Sequence, residues 1–207
     1  MKIVIVGFGT IGQRHCRLLK ERGANVSVVT QQKDMDILSY ASLEEALEKQ
    51  QPDVVFICNE TAKHADSLLT SLRFSNNLKV IVEKPLCNVL EEFLLNLSVQ
   101  DQSRIFVSYN LRLSPLLLRL KAEISKEEIL DATVNVGQNL SQWRKGDTKN
   151  YYSAYKSRGG GVLRDLSHEL DYIQWIFSDV KSLVSRVEKV SNLTVDSEDL
   201  VHALLKT

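Results

Sequence analysis

The sequence carries no net charge to attract a polyanion. Lysine plus arginine and aspartate plus glutamate number 26 each. That balance argues against a broad electrostatic footprint for nucleic acid or an anionic membrane. Cysteine is scarce: Cys16, Cys58 and Cys87 are far apart and odd in number. They form no metal-type pair, so no metal is expected, and a reduced, cytoplasmic chain is the simple reading. Long hydrophobic runs are missing too. The N-terminal apolar run stops at Gly7, too short for a signal peptide or a membrane span. No internal repeat or low-complexity tail is present.

What is present is an alternation of short β-branched runs and amphipathic stretches. Residues 2–6, 25–30, 53–58, 78–82 and 104–108 read as strands, the first apolar enough to be buried on both faces. Helices are expected over 10–22, 61–73 and 88–97, and another is expected to start at Ser42 with Glu45 completing a capping box. A short strand is expected at 37–40. Repeated strand–helix units imply a doubly wound parallel sheet with helices on both faces. One link is odd. Residues 31–36 are too few for a parallel crossover, which normally takes about a dozen. The helix usually found there is therefore missing, or the short strand is poorly formed.

Beyond Pro115 the character changes, which sets domain boundaries at 1–115 and 116–207. Residues 116–124 read as a helix and 129–138 as an alternating strand. Residues 139–158 read as a long polar and aromatic loop, 165–177 as a helix, and 181–190 and 199–206 as strands.

Three features carry chemistry. Gly7-Phe8-Gly9-Thr10-Ile11-Gly12 follows a buried strand and opens a helix. In that context the glycines allow a tight turn, approach of the backbone to a pyrophosphate and close helix–strand packing; a purely structural turn is the alternative. At the end of the second strand, where NAD-preferring sites place a carboxylate, stand Thr30, Gln31, Gln32 and Lys33. The lack of an acid there and the presence of Lys33 lean toward NADP, while Asp34 and Asp36 keep NAD open.

Glu83-Lys84-Pro85 places Lys84 at the carboxyl end of a parallel strand, where it can orient a substrate oxygen; an ordinary surface lysine is the alternative. Finally, Gly159-Gly160-Gly161 permits close approach to a ligand or to another segment. Asp165 and His168 share a face if a helix has begun. That pairing suits acid–base work, or a structural histidine beside a capping aspartate.

Taken together these residues resemble the Gfo/Idh/MocA family of oxidoreductases. The resemblance rests on the glycine turn with Arg14-His15, Thr61-Ala62-Lys63-His64, Glu83-Lys84-Pro85, Asn110-Leu111-Arg112 with Pro115, and the run from Gly159 to Asp171, in the family's order. It implies an N-terminal Rossmann domain and a C-terminal α/β domain with a mostly antiparallel sheet. It implies NAD(P)-dependent chemistry on a sugar, nucleotide sugar or polyol. Lys84 would contact the reacting oxygen, His168 would exchange the proton, and Asp165 would help bind substrate. Asn110 would lie near the nicotinamide and the substrate and Arg112 near the substrate, while Asn59, His64, Glu83 and Lys84 would join the glycine turn at the cofactor. The segment Trp143-Arg144 to Ala154 is similar to a subgroup linked to surface glycans and nucleotide sugars, with Trp143 and Arg144 as sugar and anion contacts; a structural role for both is the alternative.

There are departures. The Asp–His spacing is one residue shorter than in most members, which bears on Asp165 more than on His168. Family members are commonly much longer, so the second domain reads as incomplete and its last strand as lacking partners. That unfinished sheet implies a homo-oligomer. It also leaves open a cofactor-binding chain without full catalytic competence.

Overall fold

The computed structural model describes residues 1–143 and 151–207, and of Trp143 the backbone alone. It divides into two compact units, Met1–Ser108 and Tyr109–Thr207.

The first unit is built on a six-stranded parallel sheet. Its strands are β1 (Lys2–Val6), β2 (Asn25–Val29), β3 (Ser39–Tyr40), β4 (Val54–Ile57), β5 (Lys79–Val82) and β6 (Ile105–Val107), in the order β3-β2-β1-β4-β5-β6. All neighbouring strands pair in parallel. The order reverses between β1 and β4, and doubly wound sheets bind ligands at such a point.

The period of two along a strand explains how both faces are buried. Val4 and Val6 point into one apolar cluster with Val55, Ile57, Val80 and Val82. Leu43, Ala46 and Leu47 of helix α2 (Leu43–Gln50) and Leu68 and Leu72 of helix α3 (His64–Phe74) cover that cluster. Ile3 and Ile5 point the other way, against Val26, Val28, Val54 and Cys16 of helix α1 (Thr10–Glu21). Each such side chain contributes roughly 1.5–3 kcal/mol of transfer free energy. Among the described residues, Ala154 is the one fully buried apolar side chain outside this unit.

The crossover anomaly is real. Residues 31–38 contain no helix, and β3 is two residues long, yet it pairs in parallel with β2. The Ser42 hydroxyl caps α2 by accepting from the Glu45 amide at 3.2 Å. The helix expected over 88–97 shrinks to α4 (Glu92–Leu95), and a short α5 (Val99–Ser103), capped by Ser98, precedes β6.

The second unit holds α6 (Pro115–Ile124), α7 (Leu140–Trp143), α8 (Val162–Asp165), α9 (His168–Phe177) and a hairpin of β7 (Ser182–Glu188) and β8 (Leu200–Lys206), antiparallel throughout. Two expectations fail here. Residues 129–138 form no strand, because no described strand lies beside them to take their hydrogen bonds. The helix expected over 165–177 is two helices, broken at Leu166-Ser167. Asp165 therefore ends one helix and His168 starts the next, so the continuous helix face assumed for them does not exist. No helix among the described residues is long and apolar enough to cross a membrane.

Candidate functional site

At the end of β1 the glycine turn is shaped from inside. Gly7 has φ +92°, and a Cβ there would stand 2.7 Å from Asn59 Cα and N. A Cβ on Gly12 would stand 2.1 Å from the Gly7 carbonyl oxygen. Those two glycines let α1 and the end of β4 close on the turn. Gly9 differs, since a Cβ there would meet nothing within 4 Å. Its backbone borders open space, where a ligand can approach.

Gly9 is also the N-cap of α1, which no side chain caps and whose first turn holds no acid. The amides there and the positive end of the helix dipole are available to an anion. A dinucleotide pyrophosphate fits this cradle. Phe8 contributes its carbonyl, which accepts from Gln13 Nε2 at 3.1 Å and from Gln32 Nε2 at 3.2 Å. Gln32 thus ties the end of β2 back to the turn, a contact between residues too far apart in sequence to be read there. Thr10 and Ile11 open the helix and are exposed.

Beyond β2, the Thr30 hydroxyl accepts from the Gln32 amide at 3.2 Å, and Gln31 donates to the Ala41 carbonyl at 2.9 Å. Lys33 is exposed. At the end of β4, Asn59 donates to Ser67 Oγ at 3.0 Å while its Oδ1 is buried without a hydrogen-bond partner.

His64 is buried. Its Nδ1 lies 2.9 Å from the Pro85 carbonyl and its Nε2 3.2 Å from the Asn59 carbonyl. Burial pulls its pKa below the ordinary value, against the opposing pull of those two carbonyls. The ring therefore pins the turn after Lys84 to the end of β4 and offers no exposed face to a ligand.

Glu83 is similarly engaged. Its Oε1 accepts from His15 Nε2 at 2.8 Å. Burial pushes the Glu83 carboxyl up, but bonds from His15, Ser108 and the Lys84 amide together hold it below its usual value. His15, on the helix of the glycine turn, thus grips the residue before Lys84. Lys84 itself is half-buried at the end of β5, and the Lys84–Pro85 peptide is cis.

In the second unit, the glycine run serves another segment of the chain. A Cβ on Gly160 would stand 2.5 Å from the Ser153 and Tyr152 carbonyls. One on Gly161, at φ +124°, would stand 2.2 Å from Glu198 Oε1. Asp165 is buried and accepts from the Tyr152 hydroxyl at 3.3 Å. It borders a cavity of about 240 Å³, together with Ser153, Leu166, Glu198 and Asp199.

His168 is half-buried, with the ring of Tyr109 edge-on at 5.7 Å. Asn110 is exposed at the start of a short 3₁₀ turn, Asn110–Leu113. Arg112, on that turn, grips Asp171 with two bonds, Nε to Oδ2 at 2.8 Å and Nη2 to Oδ1 at 2.7 Å. Arg144 lies outside the described residues, as does the side chain of Trp143. No cluster of metal-ligating side chains occurs among the described residues.

Such a cradle on a doubly wound sheet is that of a dinucleotide-binding class of protein. The family model described as "Oxidoreductase family, NAD-binding Rossmann fold" (GFO_IDH_MocA) matches residues 1–107, and the GFO/IDH/MocA C-terminal domain matches residues 120–207. The chain belongs to the Gfo/Idh/MocA family. No curated protein matches the sequence significantly.

Among solved structures, the chain is similar to the WlbA dehydrogenase of Bordetella pertussis, in complex with NADH and UDP-GlcNAcA. The TM-score is 0.83 at 18% identity, over 100% of this chain and 68% of that one. The WlbA dehydrogenase of Chromobacterium violaceum, with the same ligands, gives a TM-score of 0.81 at 18% identity, over 100% of this chain and 63% of that one. GenD2 from gentamicin A biosynthesis, in complex with NAD, gives 0.77 at 19%, over 99% of this chain and 62% of that one. These likenesses show the fold, and this chain spans under two thirds of the length of the second and third relatives.

Proposed function

We propose that the protein is an NAD(P)-dependent oxidoreductase acting on a hydroxyl or carbonyl of a sugar, most closely a nucleotide sugar. The observation that carries the cofactor in this reading is the cradle at the end of β1, and the sugar rests on the family and on the likeness to WlbA. Gly7 and Gly12 have no room for a side chain, Gly9 faces open space, and α1 is left uncapped toward it. When bound, the nicotinamide supplies the hydride acceptor or donor. In this reading Lys84 holds the reacting oxygen, His168 takes or gives its proton, and Asp165 binds substrate with Asn110 beside it. Trp143 and Arg144 are proposed as further sugar and anion contacts.

NADP is the favoured cofactor. No carboxylate stands directly after β2 to repel a 2′-phosphate, and the exposed Lys33 can attract one. Solved relatives in complex with UDP-GlcNAcA support the choice of a uronic nucleotide sugar, and a role in surface-glycan synthesis is proposed with it. We place the protein in the cytoplasm and expect it to work as a homo-oligomer.

The test is turnover of UDP-GlcNAcA with NAD or NADP, followed at the nicotinamide absorbance. The wild type is expected to turn over, and Lys84→Met and His168→Asn to lose at least about 100-fold in kcat while binding NADPH normally. NADPH binding without turnover on any sugar nucleotide would leave a cofactor-binding chain. Binding of NADH alone would reverse the cofactor preference.

A further inference from the structure

Arg112 carries a guanidinium beside the segment expected to meet substrate, yet its geometry points elsewhere. Two of its nitrogens engage both oxygens of Asp171, and the Asp171 side chain is only 9% exposed. A bidentate pair of this kind fixes direction as well as distance.

Asp171 is at i+3 from His168 in α9, and Trp175 at i+7, so the three share one stripe of that helix. The facing stripe comes from the 3₁₀ turn at 110–113 and the residue that leads into it. Tyr109 is the N-cap of that turn, and its carbonyl accepts from the Arg112 amide at 3.2 Å. The two stripes meet rung by rung. Tyr109 lies edge-on to His168 at 5.7 Å and an interplanar angle of 81°, and Arg112 holds Asp171. Arg112 also lies over the Trp175 ring at 5.9 Å, and Lys121 of α6 lies over the same ring at 4.1 Å.

We infer that Arg112, Asp171 and Tyr109 are positioning residues that set the rotation of α9 and the orientation of the His168 ring, and that Arg112 is not a substrate contact. A helix is kept from rolling about its axis where side chains on one stripe are held. Here the fixed points are Asp171 and Trp175, and His168 is the next residue on the same stripe. The inference rests on the proposed role of His168 as the group that exchanges the proton.

The experiment has two arms, both on the full chain. In the first, the imidazole signals of His168, identified by their loss in His168→Asn, are followed by NMR in Arg112→Lys, Asp171→Asn and Tyr109→Leu. Lysine keeps the charge but cannot bridge both oxygens. Each variant is expected to shift or broaden the His168 signals while thermal unfolding stays cooperative. Signals that superimpose on wild type in Arg112→Lys and Asp171→Asn would overturn the inference, since Tyr109→Leu removes a ring current and shifts them in any case.

In the second arm, Arg112→Lys and Asp171→Asn are expected to lower kcat with UDP-GlcNAcA by about ten-fold and to move its pH profile, with KM within about two-fold. The double variant should be no worse than either single one. A KM raised about ten-fold at unchanged kcat would make Arg112 a substrate contact and overturn the inference. If the wild type itself does not turn over, the functional proposal fails, and the NMR arm alone decides the positioning role.

Discussion

His64 shows how much one buried side chain can decide. A neutral imidazole carries a single N–H, yet both ring nitrogens of His64 face carbonyl oxygens. Protonation would satisfy both, and burial opposes it strongly enough to leave the pKa below the ordinary 6.5. The sign of the pH effect follows. In the unfolded chain the imidazole takes up its proton near pH 6.5, whereas in the folded chain it does so at lower pH. Stability from this residue is therefore full above pH 6.5 and is lost as pH falls toward the folded value. Denaturant midpoints measured from pH 7.5 down to 5 are expected to decline, and His64→Asn is expected to flatten that decline. An unchanged slope in the variant would assign the effect to other groups. At this scale the sequence was half legible. The glycine turn could be read from its spacing. That His64 and Glu83 also tie chain segments together could not, since their partners Asn59, Pro85 and His15 are brought to them by the sheet.

At the scale of elements, the strength of the sequence signal tracks burial. β1, β4 and β5 are apolar runs whose alternate residues fill two clusters, and their positions follow from composition. The helix-less link before β3 was legible as well, because chain length is a hard geometric limit. Residues 129–138 misled because alternation describes a willing strand without supplying its partner. The break at Leu166-Ser167 was invisible because the apolar spacing runs on across it. Another element-level feature is the anchor at the end of α3. Arg104 is buried, and its guanidinium donates to the carbonyls of Leu72 at 2.8 Å and Ser75 at 2.6 Å, and to Asp101 Oδ1. A cation here also meets the negative end of the helix dipole. Arg104→Ala is expected to cost about 3 kcal/mol, measured by chemical denaturation, because it strands buried carbonyls and Asp101. A loss below about 1 kcal/mol would show that water replaces the guanidinium.

At the scale of the molecule, the β7–β8 hairpin leaves Leu183, Val184, Val187 and Leu204 exposed, and α6 leaves Leu116, Leu118 and Leu120 exposed. Apolar surface of this kind marks an interface or an aggregation hazard. Light scattering at micromolar concentration is expected to give a dimer or larger species, and Leu204→Lys with Val184→Lys is expected to reduce it to monomer. A monodisperse wild-type monomer would refute self-association through this sheet.

The near absence of fully buried apolar side chains among the described residues of the second unit has a consequence for the lifetime of the chain in a cell. Proteases cut segments that open, and segments open most readily where few apolar contacts resist. Degradation is expected to begin beyond Tyr109 and to stall at the parallel sheet. The part that grips the dinucleotide would then outlast the part proposed to select the sugar.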